Sequence, residues 1–193
     1  MASKWTALLS GVAAIATGGL TATADVIISA PPSGYALMAS QTGSEATARA
    51  GDWQDAGETG AIMNTSSDRP LTYTFDAGVA PQLTAIGVTA KNFWGPLPAS
   101  YVMFDVSVTI DGTYVDTLHI AASDTEWNTG WLNVGMRQGP ITVTMNWLND
   151  AWEPGVADAN IGVGAVSIAN IPSAGSISLA SLGLLLGGTR RRR

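Results

Sequence analysis

The chain has 193 residues, no cysteine, and fifteen acidic against nine basic residues, for a formal net charge of −6. Four of the basic residues are the terminal Arg190, Arg191, Arg192 and Arg193, whereas every acid lies between Asp25 and Asp158, so the middle of the chain is strongly acidic. That balance argues against a nucleic-acid partner, which needs clustered Lys and Arg, and the missing cysteines exclude disulfides, thiolate metal sites and thiol nucleophiles; hard, oxygen-seeking cations are the natural partners of such a surface.

Residues 1–24 read as a secretory signal. Lys4 gives a basic start, Trp5 to Leu20 is apolar and small, and Ala22-Thr23-Ala24 offers a small-residue cleavage site before Asp25. An exported protein, at the cell surface or extracellular, is expected. Residues 25–170 then form the domain, and about 145 residues suffice for one core.

Within that domain the pattern is β. Val26 to Ser29 reads as a first strand, set off by Pro31-Pro32-Ser33-Gly34. Short β-branched and alternating runs follow at Leu71–Phe75, Leu83–Val88, Val102–Ile110, Tyr114–Ile120, Gly130–Val134, Ile141–Leu148 and Ile161–Ile168. Asp111-Gly112 predicts a tight hairpin between the third and fourth of these runs, and Pro96 and Pro98 belong to a loop. Nothing carries a sustained helical period, so the expected fold is all-β, a single antiparallel sandwich of jelly-roll type.

One loop concentrates chemistry. Asn149-Asp150-Ala151-Trp152-Glu153-Pro154-Gly155-Val156-Ala157-Asp158-Ala159-Asn160 holds three carboxylates and two amides around a Pro-Gly turn. Folding back on that turn would bring Asp150 and Asp158 together, and two close carboxylates repel unless a cation lies between them. Ca²⁺ fits, since it takes six to eight oxygens from carboxylates, amides, carbonyls and water. The loop also carries Trp152, and Trp94 stands beside Gly95-Pro96; these two are the candidate aromatic platforms for a sugar ring. Trp147 alternates inside a strand and is expected in the core, and Trp127 in the core or at its rim.

No catalytic residues are assigned. Some pair of carboxylates at glycosidase spacing is inevitable among fifteen acids. His119 is the only histidine and has no motif around it, against a serine triad or a histidine-held zinc, and it reads as a packed or surface residue. No Gly-rich phosphate loop runs from a strand into a helix.

In order along the chain, Val106-Ser107-Val108-Thr109-Ile110-Asp111-Gly112, Thr125-Glu126-Trp127-Asn128-Thr129, Asn149-Asp150-Ala151-Trp152-Glu153 and Asp158-Ala159-Asn160-Ile161-Gly162-Val163 resemble segments of the calcium-dependent, xylan-binding type of carbohydrate-binding module. The stretch from Glu45-Ala46 to Phe75 resembles the same sandwich more loosely. The resemblance implies Asp150 and Asp158 as side-chain calcium ligands, with carbonyls near Trp152 and Asn160 completing the set, and sugar hydroxyls displacing calcium-bound water. The implied partner is a polysaccharide with an accessible diol, xylan-like or another glycan. Ala151, Ala159 and Gly162 stand where that family has an aromatic residue, Arg and Tyr. A structural or matrix surface protein, its calcium only rigidifying the loop, is the competing reading.

The C-terminal residues 171–193 carry their own pattern. Ile171-Pro172-Ser173-Ala174, the apolar Leu179 to Leu186 and the closing four arginines resemble a PEP-CTERM sorting signal, with only Pro172 left of its Pro-Glu-Pro element. That resemblance implies an apolar helix, a membrane anchor before processing, and an exosortase-type processing protease as partner; the arginines are expected to stay cytoplasmic.

Overall fold

The computed structural model describes residues 28–171 except Thr59. The expected secretory signal, and the expected sorting tail beyond Ile171 with its apolar helix, lie outside the described residues.

The described chain is built of strands: β1 (Ala36–Thr42), β2 (Ala48–Arg49), β3 (Gln54–Asp55), β4 (Ile62–Asn64), β5 (Leu71–Asp76), β6 (Gln82–Asn92), β7 (Met103–Ile110), β8 (Thr113–Ala121), β9 (Asn128–Arg137), β10 (Pro140–Trp147), β11 (Trp152–Glu153), β12 (Ala157–Asp158) and β13 (Ile161–Asn170). Period two marks β5, β7 and β10. In β7, Phe104, Val106, Val108 and Ile110 are buried while Asp105, Ser107 and Thr109 face outward, and β10 alternates likewise.

The strands pair antiparallel in two main sheets that form a β-sandwich. One runs β3-β4-β13-β6-β9, with β1 also on β13; the other runs β2-β5-β10-β7-β8. Between them Tyr73, Phe75, Val106, Val108, Val143 and Trp147 meet Ile86, Val88, Val163, Val166 and Ile168. Each such side chain contributes roughly 1.5–3 kcal/mol by leaving water. Asp111 (φ 51°) and Gly112 (φ 79°) form the turn between β7 and β8, where both central residues of a type I′ turn need positive φ.

Two features depart from the expected strand order. Of the expected first strand, Val26 to Ser29, Val26 and Ile27 lie outside the described residues, and Ser29 is in no strand: its N–H donates to Thr129 Oγ1 at 3.0 Å and its carbonyl accepts from Trp131 Nε1 at 3.3 Å, so side chains hold it in place of a ladder. The first described strand is instead β1, whose Ala36-Leu37-Met38-Ala39-Ser40 run is mostly exposed and lacks alternation.

β13 is buried along its whole length, so both its faces are covered. Small residues make this possible. Gly162 lies under the Phe93 ring and Gly87 under Trp131; a Cβ at either would run into the ring above it.

The register also defines one end of the sandwich. Ile161, at the start of β13, pairs with Asn64 at the end of β4 and with Asn92 at the end of β6. The connection 148–160 crosses from β10 in one sheet to β13 in the other at this end.

Candidate functional site

The crossing connection is anchored at its base by Asn149. Its Oδ1 accepts from Tyr101 OH (3.0 Å), the Asp105 N–H (2.8 Å) and Trp147 Nε1 (2.9 Å), and its Nδ2 donates to the Met103 carbonyl at 2.9 Å. These bonds tie the Asn149 side chain to the fold rather than to a ligand. Trp147 is buried, and the structure places it in the core as the alternation predicts.

Beyond Asn149 the chain folds back at Pro154-Gly155. The Val156 N–H donates to the Glu153 carbonyl at 3.0 Å, and Gly155 (φ 69°) takes the positive-φ position of the turn. The arms pair Trp152 with Asp158 and Glu153 with Ala157, and Ala159 N–H donates to the Ala151 carbonyl at 2.8 Å.

This hairpin sets Asp150 and Asp158 close enough to repel. The Asp150 carboxyl is raised above the usual aspartate value, by partial desolvation first and by the charge of Asp158 second; the main-chain amides of Ser67 and Ala151 offset part of the rise. Ser67 belongs to the connection after β4, so a third segment reaches the site.

Asn160 is 1% exposed. Its N–H donates to Asn92 Oδ1 at 2.7 Å, its carbonyl accepts from the Phe93 N–H at 3.1 Å, and its Nδ2 reaches back to the Asp158 carbonyl at 3.3 Å. Among the described residues its side-chain Oδ1 has no hydrogen-bond partner. A buried, unsatisfied amide oxygen costs about 1–3 kcal/mol.

Beside the acids lies a depression of about 240 Å³ lined by Trp94, Gly95 and Pro96 on one side and by the 152–158 hairpin, Asp158 included, on the other. Trp94 is 61% and Trp152 69% exposed. The walls are stitched by the Asp158 N–H donating to the Pro96 carbonyl at 3.1 Å. Trp94 has φ 60°, a conformation that is an outlier for a bulky side chain and costs roughly 1–3 kcal/mol unless its surroundings enforce it.

No protein-family model matches the chain, and no curated protein matches it significantly. Solved structures do. A CBM36-1 domain of a multidomain xylanase from the hindgut metagenome of Trinervitermes trinervoides shares 13% identity, over 67% of this chain and 94% of that one, at a TM-score of 0.49. Carbohydrate-binding module CBM36 in complex with calcium and xylotriose shares 12%, over 68% and 99%, at 0.46. CsCBM6-3 from Clostridium stercorarium, in complex with cellobiose, shares 11%, over 67% and 92%, at 0.47. The likeness is one of fold.

Whether the site fits a cation is decided by its own donors. Among the described residues no three His, Cys, Asp or Glu side chains converge as a metal-binding group. Two carboxylates with a spare amide oxygen and nearby carbonyls suit a hard cation, which accepts neutral oxygens readily. The Asn160 main-chain carbonyl already accepts a hydrogen bond, which makes Oδ1 the freer donor atom of that residue.

Two further sequence readings concern neighbours of the site. Trp127 is half-buried and donates from Nε1 to Glu58 at 2.9 Å; Glu58 also pairs with Lys91, whose ammonium lies over the rings of Phe93 and Trp127. His119 is exposed and pairs with Asp105 at 2.6 Å on the outer sheet face. Sequence reasoning passed over Ser67, Asn92 and Asp124, whose roles come from contacts between distant segments.

Proposed function

We propose that this chain is an exported, non-catalytic polysaccharide-binding protein that engages its ligand at the open end of the sandwich with a Ca²⁺ ion in the 150–160 loop. The observation that carries the reading is the junction of two things: a hairpin that folds Asp158 back towards Asp150 and leads within two residues to Asn160, whose buried amide oxygen has no partner among the described residues, and a depression walled by two exposed tryptophans.

Asp150 and Asp158 would hold the cation, with Asn160 Oδ1 and a main-chain carbonyl near Trp152 completing the protein's share. Bound calcium supplies coordination positions at which vicinal sugar hydroxyls replace water. The chain's own residues do the rest. Trp94 and Trp152 offer flat apolar faces to the C–H faces of sugar rings. The Asp158 amide, tied to Pro96, keeps the acid beside those faces.

A purely structural calcium would account for the carboxylates but not for two large apolar side chains left in water, one of them on a strained backbone. Residues 1–24 as secretory signal and residues 171–193 as a PEP-CTERM-like tail processed by an exosortase-type protease complete the proposal, with the membrane holding the chain only before processing. The ligand class is a xylan-like glycan or another with accessible diols.

The test is a glycan array probed with the purified protein in calcium and again after chelation. Calcium-dependent retention on one class of polysaccharide is the expected result. Calcium binding by calorimetry with identical retention in both conditions would sink the sugar reading and leave the structural one.

A further inference from the structure

Asn92 closes β6 and is 2% exposed, yet its carboxamide touches three separate segments. Nδ2 donates to the Gly95 carbonyl at 2.8 Å and to Asp124 Oδ1 at 2.7 Å, while Oδ1 accepts the Asn160 N–H at 2.7 Å. Asp124 uses the same Oδ1 to accept the Leu97 N–H at 3.1 Å. The main chain repeats the connection: Asn92 N–H donates to the Ser123 carbonyl at 2.8 Å, and Phe93 N–H to the Asn160 carbonyl at 3.1 Å.

Two donors and an acceptor in one small plane are what an amide offers and a carboxylate, hydroxyl or ammonium does not. The Asn92–Gly95 bond closes the chain around Trp94 and the Asp124–Leu97 bond pins it just beyond, which is the over-determination a residue at φ 60° requires. The third bond fixes the start of the segment whose Asn160 carries the unpartnered oxygen.

We infer that Asn92, held by Asp124, is a positioning residue that sets the Trp94 wall against the Asp158–Asn160 segment, so that sugar and cation are engaged by one rigid unit. The inference rests on the proposed function for its ligands, but the bracket has a signature that needs neither ligand.

The experiment compares Asn92→Asp, Asn92→Ala, Asp124→Asn and Asp124→Ala in the full chain labelled with 5-fluorotryptophan, the Trp94 resonance being assigned by its loss in Trp94→Phe. Asn92→Asp still accepts the Asn160 N–H but cannot donate to Gly95 or Asp124. Its Trp94 resonance should shift from the wild-type position and broaden, and its retention on the array-identified polysaccharide should fall about tenfold or more, the scale of losing hydrogen bonds to a charged partner, with calcium affinity not weakened. Asn92→Ala should lose calcium affinity as well. Asp124→Asn keeps the accepting Oδ1 and should rescue wild-type behaviour, whereas Asp124→Ala should match Asn92→Asp.

An unshifted Trp94 resonance with full retention in Asn92→Asp overturns the inference, and so does an Asp124→Asn variant as impaired as Asp124→Ala. If Asn92→Ala fails to fold, the two isosteric variants still decide. A wild-type chain that binds neither calcium nor polysaccharide fails the functional reading, while the fluorine resonances of the four variants still judge the bracket.

Discussion

Trp94 and Trp152 wall one depression from two different connections of the sandwich, and the bond between the Asp158 amide and the Pro96 carbonyl holds those connections together. Both rings are more than half exposed, so neither contributes much to folding. Trp152→Ala should therefore leave stability within about 0.5 kcal/mol, as for other exposed positions, while polysaccharide affinity falls roughly tenfold or more, as expected when a central aromatic anchor is removed. Affinity electrophoresis read beside thermal unfolding separates the two effects; equal loss in both would mean that Trp152 is a packing residue.

Trp94 makes a sharper case because its backbone is strained. Trp94→Gly removes the ring and the steric cost of φ 60° together. The variant should be more stable by up to about 1 kcal/mol, within the range of the relieved strain, and weaker in binding. Denaturant midpoints and retention on the polysaccharide should move in opposite directions.

Much of this fold is legible in the sequence because its evidence is local. Phe104, Val106, Val108 and Ile110 alternate within one strand, Asp111-Gly112 marks its turn, and Pro154-Gly155 is enough to fold Asp158 back towards Asp150. β1 is not legible in the same way, since an edge strand with most of its residues in water needs no alternation. The bracket of Asn92 is hidden for another reason: its bonds to Asp124 and Asn160 span 32 and 68 residues, and nothing local distinguishes this amide from one in a solvated turn. The sequence around Gly162 gives no local reason for a glycine there, and the Phe93 ring lying over it supplies one.

Charge coupling between the two loop acids gives a titration test. Asp158 raises the Asp150 carboxyl second only to desolvation, so Asp158→Asn should bring Asp150 down part of the way towards the ordinary aspartate value, observable as a carboxyl-carbon titration by NMR in chelator. The linkage has a definite sign. A carboxyl raised in the native state contributes stability below its unfolded value, near about 3.9, and loses it as pH rises through the raised native value. In chelator, Asp158→Asn should flatten that loss, and an Asp150 titration unmoved by the substitution would mean that the two acids are not coupled.

Added calcium should act in the opposite direction by filling the site. A cation bound only by the native state stabilises by about 2.7 kcal/mol at a hundredfold excess over its dissociation constant, which for a domain of this size raises Tm by roughly 5–10 °C. Asp150→Asn and Asp158→Asn should each abolish most of that rise. A rise that survives both substitutions would place the cation elsewhere on this acidic surface.

Gly162→Ala tests how closely the covered face of β13 is packed. The new methyl meets the Phe93 ring and approaches the Lys91 carbonyl, and overpacking of this kind costs about 1–3 kcal/mol. Because Phe93 precedes Trp94, displacing the ring should also weaken polysaccharide binding more than the stability loss alone explains. A larger residue tolerated at 162 without either effect would show that Phe93 moves aside freely.

The direction of β13 decides how the site is presented. The strand starts at Ile161 beside the acids and ends at Asn170, and ten residues at about 3.3 Å each put roughly 30 Å between the two ends. Chain that continues past Asn170 therefore leaves the sandwich at the end away from the tryptophans, and an attachment made there keeps the depression open. With no native cysteine, a single cysteine introduced at Ile171 or at the exposed Val156 allows immobilisation from either end. Capture of polysaccharide should persist through Ile171→Cys and be lost through Val156→Cys, because Val156 lines the depression itself; the reverse order would put the binding surface at the wrong end of the sandwich.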